Sequence, residues 1–502
     1  MSAPRIGLRG IVKRYGPIVA NDRVDLDVAA GGIHAVVGEN GAGKTTLMRI
    51  IAGLVEPDAG RYELDGRPVR LRGPADAIRR GIGMVHQRFQ LVEELSALEN
   101  LVLGATPGRL RFDRRAARTA ARRLAEQLAA ELDWEAPVAQ LSVGQRQRLE
   151  IMRLLYRRAD ILIFDEPTSV LTPGEAELLF GIMRRLAADG RTILFITHKL
   201  PEVFAVAQHV TVMRRGRVVA TSAVADTDPR QVGRQMVGED LTPPDLRPSG
   251  RVGRPVLALR EVSATGGRGE PRLRRVSFEV AEGEIVGVAG VEGNGQRELV
   301  EVVMGLRQPA GGEILLDGRP CGHRGVRERR DLGVAFISED RDGEGASLDA
   351  TIADNAVATA YRRPPLARAG LLSPGRVRRA TEDLIRRFGV QGGRPGAPAR
   401  VLSGGNLQRL VVGRELSRVP RLLVAAHPTR GVDLRGTVFI RQQLHRAREA
   451  GAAILLVSEE IVELLELCDR IVVLYRGRIT ADLPVARVTA ERLGALMAGL
   501  AA

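Results

Sequence analysis

Lysine is nearly missing from this chain: of its 75 basic residues only Lys13, Lys44 and Lys199 are lysines, and the rest are arginine. Cysteine is as scarce, with Cys321 and Cys468 the two in 502 residues. Two distant thiols exclude a disulfide framework and fit a reducing compartment. Aromatic residues make up 3% of the chain, so the interleaving of aromatic and basic residues that stacks nucleic-acid bases is missing. No unbroken apolar run reaches about 18 residues, and the chain is not expected to span a bilayer itself. The opening MSAPRIGLRG lacks the apolar core of a signal peptide. What is present is ordinary for a soluble globular protein, 44% apolar and 27% charged, and long enough for two or three domains. The net charge of +15 could attract nucleic acid or an anionic membrane. Its almost pure arginine character reads as coding bias instead, and no nucleic-acid partner is expected. The densest basic cluster, RLRFDRRAARTAARR (109–123), reads as the polar face of an exposed helix.

The chain repeats itself. Ser142 and Ser403, Pro167 and Pro428, and Gly216 and Gly477 are each 261 residues apart. A constant offset over three separate motifs marks a duplication. One half covers residues 5–240 and the other 256–500. Between them LTPPDLRPSGRVGRP (241–255), rich in Pro, Gly and Arg, reads as a linker. In each half near-continuous apolar strands (HAVVG, ILIFD and TILFIT in the first) alternate with helical stretches. That pattern predicts an α/β fold with a mostly parallel sheet and a helical middle. Each half closes on a predicted hairpin, VTVMRRGRVV and IVVLYRGRIT.

Residues 38–45, GENGAGKT, follow the apolar strand IHAVV and precede the amphipathic run TLMRIIAGL. This is the strand–loop–helix setting of a phosphate-binding loop, G-x-x-x-x-G-K-[ST]. Gly38, Gly41 and Gly43 let the backbone amides turn onto phosphate oxygens. Glu39, Asn40, Ala42 and Thr46 complete the wrapping segment. Lys44 is expected on the β- and γ-phosphates, the Thr45 hydroxyl on Mg²⁺, and the helix adds its positive dipole end. ILIFDEP (161–167) is an apolar strand ending in two carboxylates. After a phosphate loop, Asp165 is expected to hold Mg²⁺ and Glu166 to orient the attacking water as a base. LSVGQRQRLE (141–150) places Ser142 and Gly144 at a helix N-terminus, which suits an anion.

At LSVGQ the sequence resembles the ATP-binding-cassette family, whose signature is LSGGQ; Val143 departs from it. The resemblance covers nearly the whole chain and implies tandem phosphate-loop NTPase domains that bind ATP and Mg²⁺. It implies that Gln87, in GMVHQ, is the glutamine that touches Mg²⁺ and faces a membrane partner. It implies that His198, in LFITHK, is the switch histidine on the γ-phosphate and that Tyr15, in KRYG, stacks on adenine. The second half keeps the scaffold without this chemistry. Gln296 and Arg297 stand where Lys44 and Thr45 stand, Ala426 and His427 where Asp165 and Glu166 stand, and Glu459 where His198 stands. Glu339, in FISED, lies near the glutamine position, and no aromatic occurs between Glu261 and Ser277. LSGGN (402–406) and PTRGVD (428–433) remain, with Thr172 in the first half where Asp433 stands.

In the family two cassettes meet head to tail, each nucleotide lying between one domain's phosphate loop and the other's signature. The resemblance therefore implies one hydrolytic site, formed by the first half's residues with Ser403, Gly404, Gly405 and Asp433, and one degenerate site. Fused cassettes without a membrane span resemble the ATPases of bacterial importers for simple sugars and nucleosides. The wording of VLTP and AAHPTRG is closest to the nucleoside branch, with ribose- or galactose-type sugars as the alternative. The implied partners are two transmembrane permease subunits and an extracytoplasmic solute-binding lipoprotein, and the implied place is the cytoplasmic face of the membrane. A rival class is a soluble two-cassette ATPase acting on ribosomes or DNA; such proteins carry two good sites and a long charged linker, and neither is here.

Overall fold

In the computed structural model the chain divides into two compact units, Met1–Leu241 and Thr242–Ala502. The structure describes residues 4–500 except 17, 87–88, 106–112, 129–130, 169–170, 172, 239–252, 267–268, 292 and 369. The glutamine position Gln87, Thr172 and most of the expected linker thus lie outside the described residues.

The first unit contains a six-stranded sheet in the order Arg217–Ala223, His209–Arg214, Ile33–Val37, Thr192–Thr197, Ile161–Asp165 and Ile82–Val85. Five strands are parallel, and the first pairs antiparallel as the expected closing hairpin. The central strands are continuously buried, IHAVV, ILIFD and TILFIT alike, because helices and a second sheet cover both faces. That second sheet was not anticipated from the sequence. It has four antiparallel strands in the order Ile18–Val28, Ile6–Tyr15, Ala59–Leu64 and Arg67–Val69. Its inner face packs Ile6, Leu8, Val24 and Leu26 with Leu47, Met48 and Ile51 of the helix Lys44–Ile51. The helix that leaves the phosphate loop is therefore clamped between two sheets.

A helical layer follows, with helices Ala97–Val102, Arg114–Leu128 and Val143–Tyr156. In Arg114–Leu128 only Ala117, Ala121 and Leu128 are buried, which matches the exposed arginine-rich helix expected there. Asn100 ties the entry to this layer. Its amide accepts from Val92 N and donates to the carbonyls of Val92, Leu95 and Ser96.

The second unit repeats the plan. Its six-stranded sheet runs Val334–Ile337, Leu422–Ala426, Ala453–Ser458, Ile285–Ala289, Arg470–Tyr475 and Arg478–Pro484. A four-stranded antiparallel sheet accompanies it, and helices Ile352–Val357, Pro374–Phe388 and Gly404–Leu416 form its helical layer. Asn355 repeats the bonds of Asn100 with Ser347 and Thr351. Both cysteines are buried in this unit. Among the described residues no helix is long and apolar enough to cross a membrane.

A buried cation in the second unit has an unusual set of partners. Arg329 is almost wholly enclosed and donates to five backbone carbonyls, those of Val302, Val303, Cys321, Gly322 and Arg324. Two of them lie in the last turn of the helix Gln296–Met304, where orphan carbonyls favour a positive charge. Replacing Arg329 with alanine leaves these acceptors buried without donors. Denaturant unfolding of Arg329→Ala is expected to show a loss of about 3 kcal/mol or more in the second unit.

Candidate functional site

The phosphate loop of the first unit lies at the C-terminal end of Ile33–Val37, between Thr192–Thr197 and His209–Arg214. Gly43 caps the helix with a left-handed φ of 97°, and a Cβ there would come within 2.2 Å of Ala20 O. No side chain fits at this turn. At Gly41, also left-handed, a Cβ would meet nothing within 4 Å. The concave side of the loop is open while its outer side is packed. Lys44 is buried and its Nζ donates to the carbonyls of Gly38 and Glu39 at 2.7 and 2.9 Å. The ammonium is thereby held across the mouth of the loop, where it would meet phosphate oxygens.

The parallel register brings the other groups to the same edge. Asp165 ends its strand beside Ile196, and Thr45 Oγ1 donates to Asp165 Oδ1 at 3.3 Å. Burial, and then the charge of Glu166, push the Asp165 carboxyl above its ordinary range. A buried carboxylate beside a hydroxyl and under a second negative charge suits a hard divalent cation, so these residues fit Mg²⁺. Glu166 has a left-handed φ of 48°, an unfavourable conformation for a side chain of this size. It swings the carboxylate out of the strand direction toward His198, whose Nδ1 lies 3.2 Å from Glu166 Oε1. This hydrogen bond holds Glu166 below the ordinary carboxylate range. The two adjacent carboxylates are thus driven in opposite directions, which suits one to bind a cation and the other to stay a base. Tyr15 is exposed at the end of its strand, with Lys13 Nζ 5.8 Å from the ring centre.

A buried carboxylate that sequence reading missed fastens this edge. Glu202 accepts from Thr168 Oγ1 at 2.5 Å and from Thr197 Oγ1 at 2.7 Å. It therefore ties the segment after Glu166 to the residue before His198. The second unit repeats the latch: Glu463 accepts from Thr429 and Ser458 at 2.7 and 2.6 Å, each 261 residues on. The repeat offset was the available signal.

In the second unit the loop keeps its shape and loses its charge. Gly293 and Gly295 are left-handed at 91° and 108°, and Gln296 Nε2 donates to Val291 O at 2.9 Å in the manner of Lys44. Arg297 is paired with Glu301. His427 retains the left-handed turn of Glu166, with φ 44°, while Glu339 lies 3.4 Å from Arg430 and 3.9 Å from His427.

The two signature turns differ in chemistry. In the first unit Ser142 is engaged in a capping box with Gln145, and a Cβ on Gly144 would lie 2.6 Å from Glu175 Oε1. The Ser142 oxygen only accepts in this cap, so its O–H is left to donate, and what sets this turn apart is the Glu175 carboxylate against Gly144. In the second unit Ser403 makes no cap to the helix backbone and accepts from Asn406 Nδ2. Gly405 has open space at its Cα. Asp433 caps the helix Leu434–Glu449 through Gly436 N at 2.7 Å.

Fold and site together define an α/β nucleoside-triphosphate-binding protein of the phosphate-loop class. A family profile described as ABC transporter matches residues 21–169 and 273–430. The glucose import ATP-binding protein of Haloferax volcanii is 41% identical over 99% of this chain and 96% of its own length. The guanosine import ATP-binding protein of Bacillus subtilis is 41% identical over 98% and 97%. The chain belongs to the ABC transporter family and is an ATPase. Among solved structures, an archaeal ribosome recycling factor in complex with a ribosomal stalk protein shares the fold, with a TM-score of 0.65 and 20% identity over 98% of this chain and 92% of that one.

Glu150, on the helix that follows the first signature, clamps the strand end near the site. Its Oε1 accepts from Gln90 N at 2.6 Å, and Arg153 Nη1 donates to Gln90 O at 2.5 Å. Burial pushes the Glu150 carboxyl up to about 7. The folded state therefore keeps a proton that an unfolded carboxyl, near 4.5, has already released. Stability from this site falls as pH rises between those values. Urea unfolding at pH 5.5 and 8 is expected to show a larger loss for the wild type than for Glu150→Gln.

Proposed function

We propose that the chain is the ATP-hydrolysing subunit of an ABC importer for nucleosides, with one hydrolytic site served by the first unit's phosphate loop. The observation that carries this is the assembly of Lys44, Thr45, Asp165, Glu166 and His198 at one sheet edge, matched in the second unit by Gln296, Arg297, Ala426, His427 and Glu459. The loop amides and Lys44 hold the triphosphate. Thr45 and Asp165 would hold Mg²⁺, with Gln87 as the further ligand the family resemblance implies. Bound Mg²⁺ would neutralise charge developing on the phosphates. Glu166, kept ionised by His198, orients water and receives its proton. His198 keeps that carboxylate in place across the 3.2 Å contact.

In the family the second-half signature completes the first half's ATP site, and the residues assigned to that role here are Ser403, Gly404, Gly405 and Asp433. The intact glycines of the second signature support the assignment, as does the Glu175 carboxylate that lies against Gly144 in the first. ATP would reach this edge on the cytoplasmic face, and two transmembrane permease subunits with an external solute-binding lipoprotein would complete the transporter. The curated relatives named for guanosine and glucose are equally similar at 41%. The glucose relative thus favours sugar as a second reading, while the motif wording favours nucleoside.

Two measurements test the reading. Lys44→Ala and Glu166→Gln are each expected to lower ATP turnover by about 100-fold or more, and Gln296→Ala or His427→Ala to leave it within about threefold. The reverse pattern assigns hydrolysis to the other loop. With the cognate permease and binding protein reconstituted, guanosine or adenosine is expected to stimulate turnover, and stimulation by ribose or glucose alone selects the sugar reading.

A further inference from the structure

The segment after the strand Val334–Ile337 folds into a wide turn, Arg341–Gly345, anchored by its own polar groups. Asp340 O accepts from Glu344 N and Gly345 N, Asp340 Oδ1 accepts from Gly343 N, and Ser338 Oγ donates to Glu344. This places Arg341 between two loops of the second unit. Its Nη1 donates to Gly431 O, in the PTRGVD loop, at 3.1 Å. A Cβ on Gly431 would lie 3.2 Å from Nη2. On the other side, a Cβ on Gly404, in the signature turn, would lie 3.1 Å from both Cζ and Nη2. The planar guanidinium thus fits between two residues that have no side chain. Asp342 is an acidic neighbour 3.8 Å away, and one of the five guanidinium N–H groups donates to Gly431.

In the first unit the matching signature position is not glycine. Phe89 stands at the same distance from the end of Ile82–Val85 as Arg341 does from the end of Val334–Ile337. Val143 stands at the Gly404 position, where its Cβ would fill the space a guanidinium takes. The glycine is lost at the first signature, where Glu175 of the helix Pro173–Ala188 lies against Gly144.

We infer that Arg341 is a positioning residue for ATP hydrolysis: it joins the second signature turn to the Gly431 loop and fixes both for the ATP held by the first unit. The inference rests on the reading that the second signature serves the first phosphate loop. Arg341 acts through the signature and not through the loop that captures ATP. Its loss should therefore lower kcat and spare KM. A lysine carries the charge but not the plane, and cannot fill the slot between two glycines.

The test is steady-state ATPase of the full chain in its reconstituted transporter, with Arg341→Ala, Arg341→Met and Arg341→Lys beside Lys44→Ala, each checked by its melting midpoint. The expected result is a kcat about tenfold lower in all three Arg341 variants, with KM for ATP within about threefold and melting midpoints unchanged. Arg341→Met retains the stem and serves if Arg341→Ala does not fold. Full activity in Arg341→Lys overturns a geometric role. Wild-type kcat in Arg341→Ala or Arg341→Met, with Lys44→Ala inactive, overturns the inference and leaves the site reading standing. Turnover that survives Lys44→Ala overturns both.

Discussion

The chemistry of the first unit depends on two parallel strands ending in register, with the segments beyond them tied together out of reach of water. Asp165 pairs with Ile196, and Glu202, buried behind them, accepts a hydroxyl from each segment. A carboxylate buried this way is costly to hold without its donors, so the two hydroxyls are fixed wherever it is. Glu166 and His198 are the next residues out on either side. Their 3.2 Å contact is set by this latch and by the left-handed turn at Glu166, more than by their own attraction.

The duplication separates scaffold from chemistry. The latch recurs as Thr429, Ser458 and Glu463, and burial raises the Glu463 carboxyl above its ordinary range. The left-handed turn recurs at His427, whose amide donates to Val457 O as Glu166 N does to Ile196 O. The glycine turns of the phosphate loop recur, and Gln296 replaces an ammonium with an amide that satisfies the same kind of carbonyl. Each retained feature is one whose loss would leave a buried polar group unpaired or a backbone clash. The changed residues Arg297, Ala426, His427 and Glu459 lie at or just beyond the same sheet edge, and Gln296 keeps its carbonyl partner. The second unit therefore follows the packing constraints of the first after its charges have gone.

This division also explains what could be read from the sequence. Continuous apolar strands, glycine spacing and the repeat offset come from burial and backbone geometry, and they marked the parallel sheets, the phosphate loop and the closing hairpins. The four-stranded antiparallel sheets were missed because their strands alternate less cleanly: Ile18–Val28 begins exposed, and Ile6–Tyr15 pairs through several register shifts. Asn100, Glu202 and Glu150 were missed for a different reason. A single polar residue inside a helix carries no periodic signal, and its value lies in partners 5 to 60 positions away. Arg329 was invisible in the same way among so many arginines, although it meets five carbonyls.

Composition could not separate the two signature motifs either, since LSVGQ and LSGGN differ at two positions. Their contrast comes from neighbours. Glutamine at position 145 reaches back to the Ser142 amide and completes a capping box, whereas the shorter Asn406 reaches only the Ser403 hydroxyl. One methylene decides whether the serine oxygen accepts from its own helix backbone or from a side chain, and in both turns its O–H is left to donate at a positive helix end. Glu175 then adds negative charge beside the first turn, and Arg341 positive charge beside the second. The two turns differ in the side chain set against their glycine. The asymmetry of this ATPase is thus built twice, in the phosphate loops and again in the surroundings of the signatures.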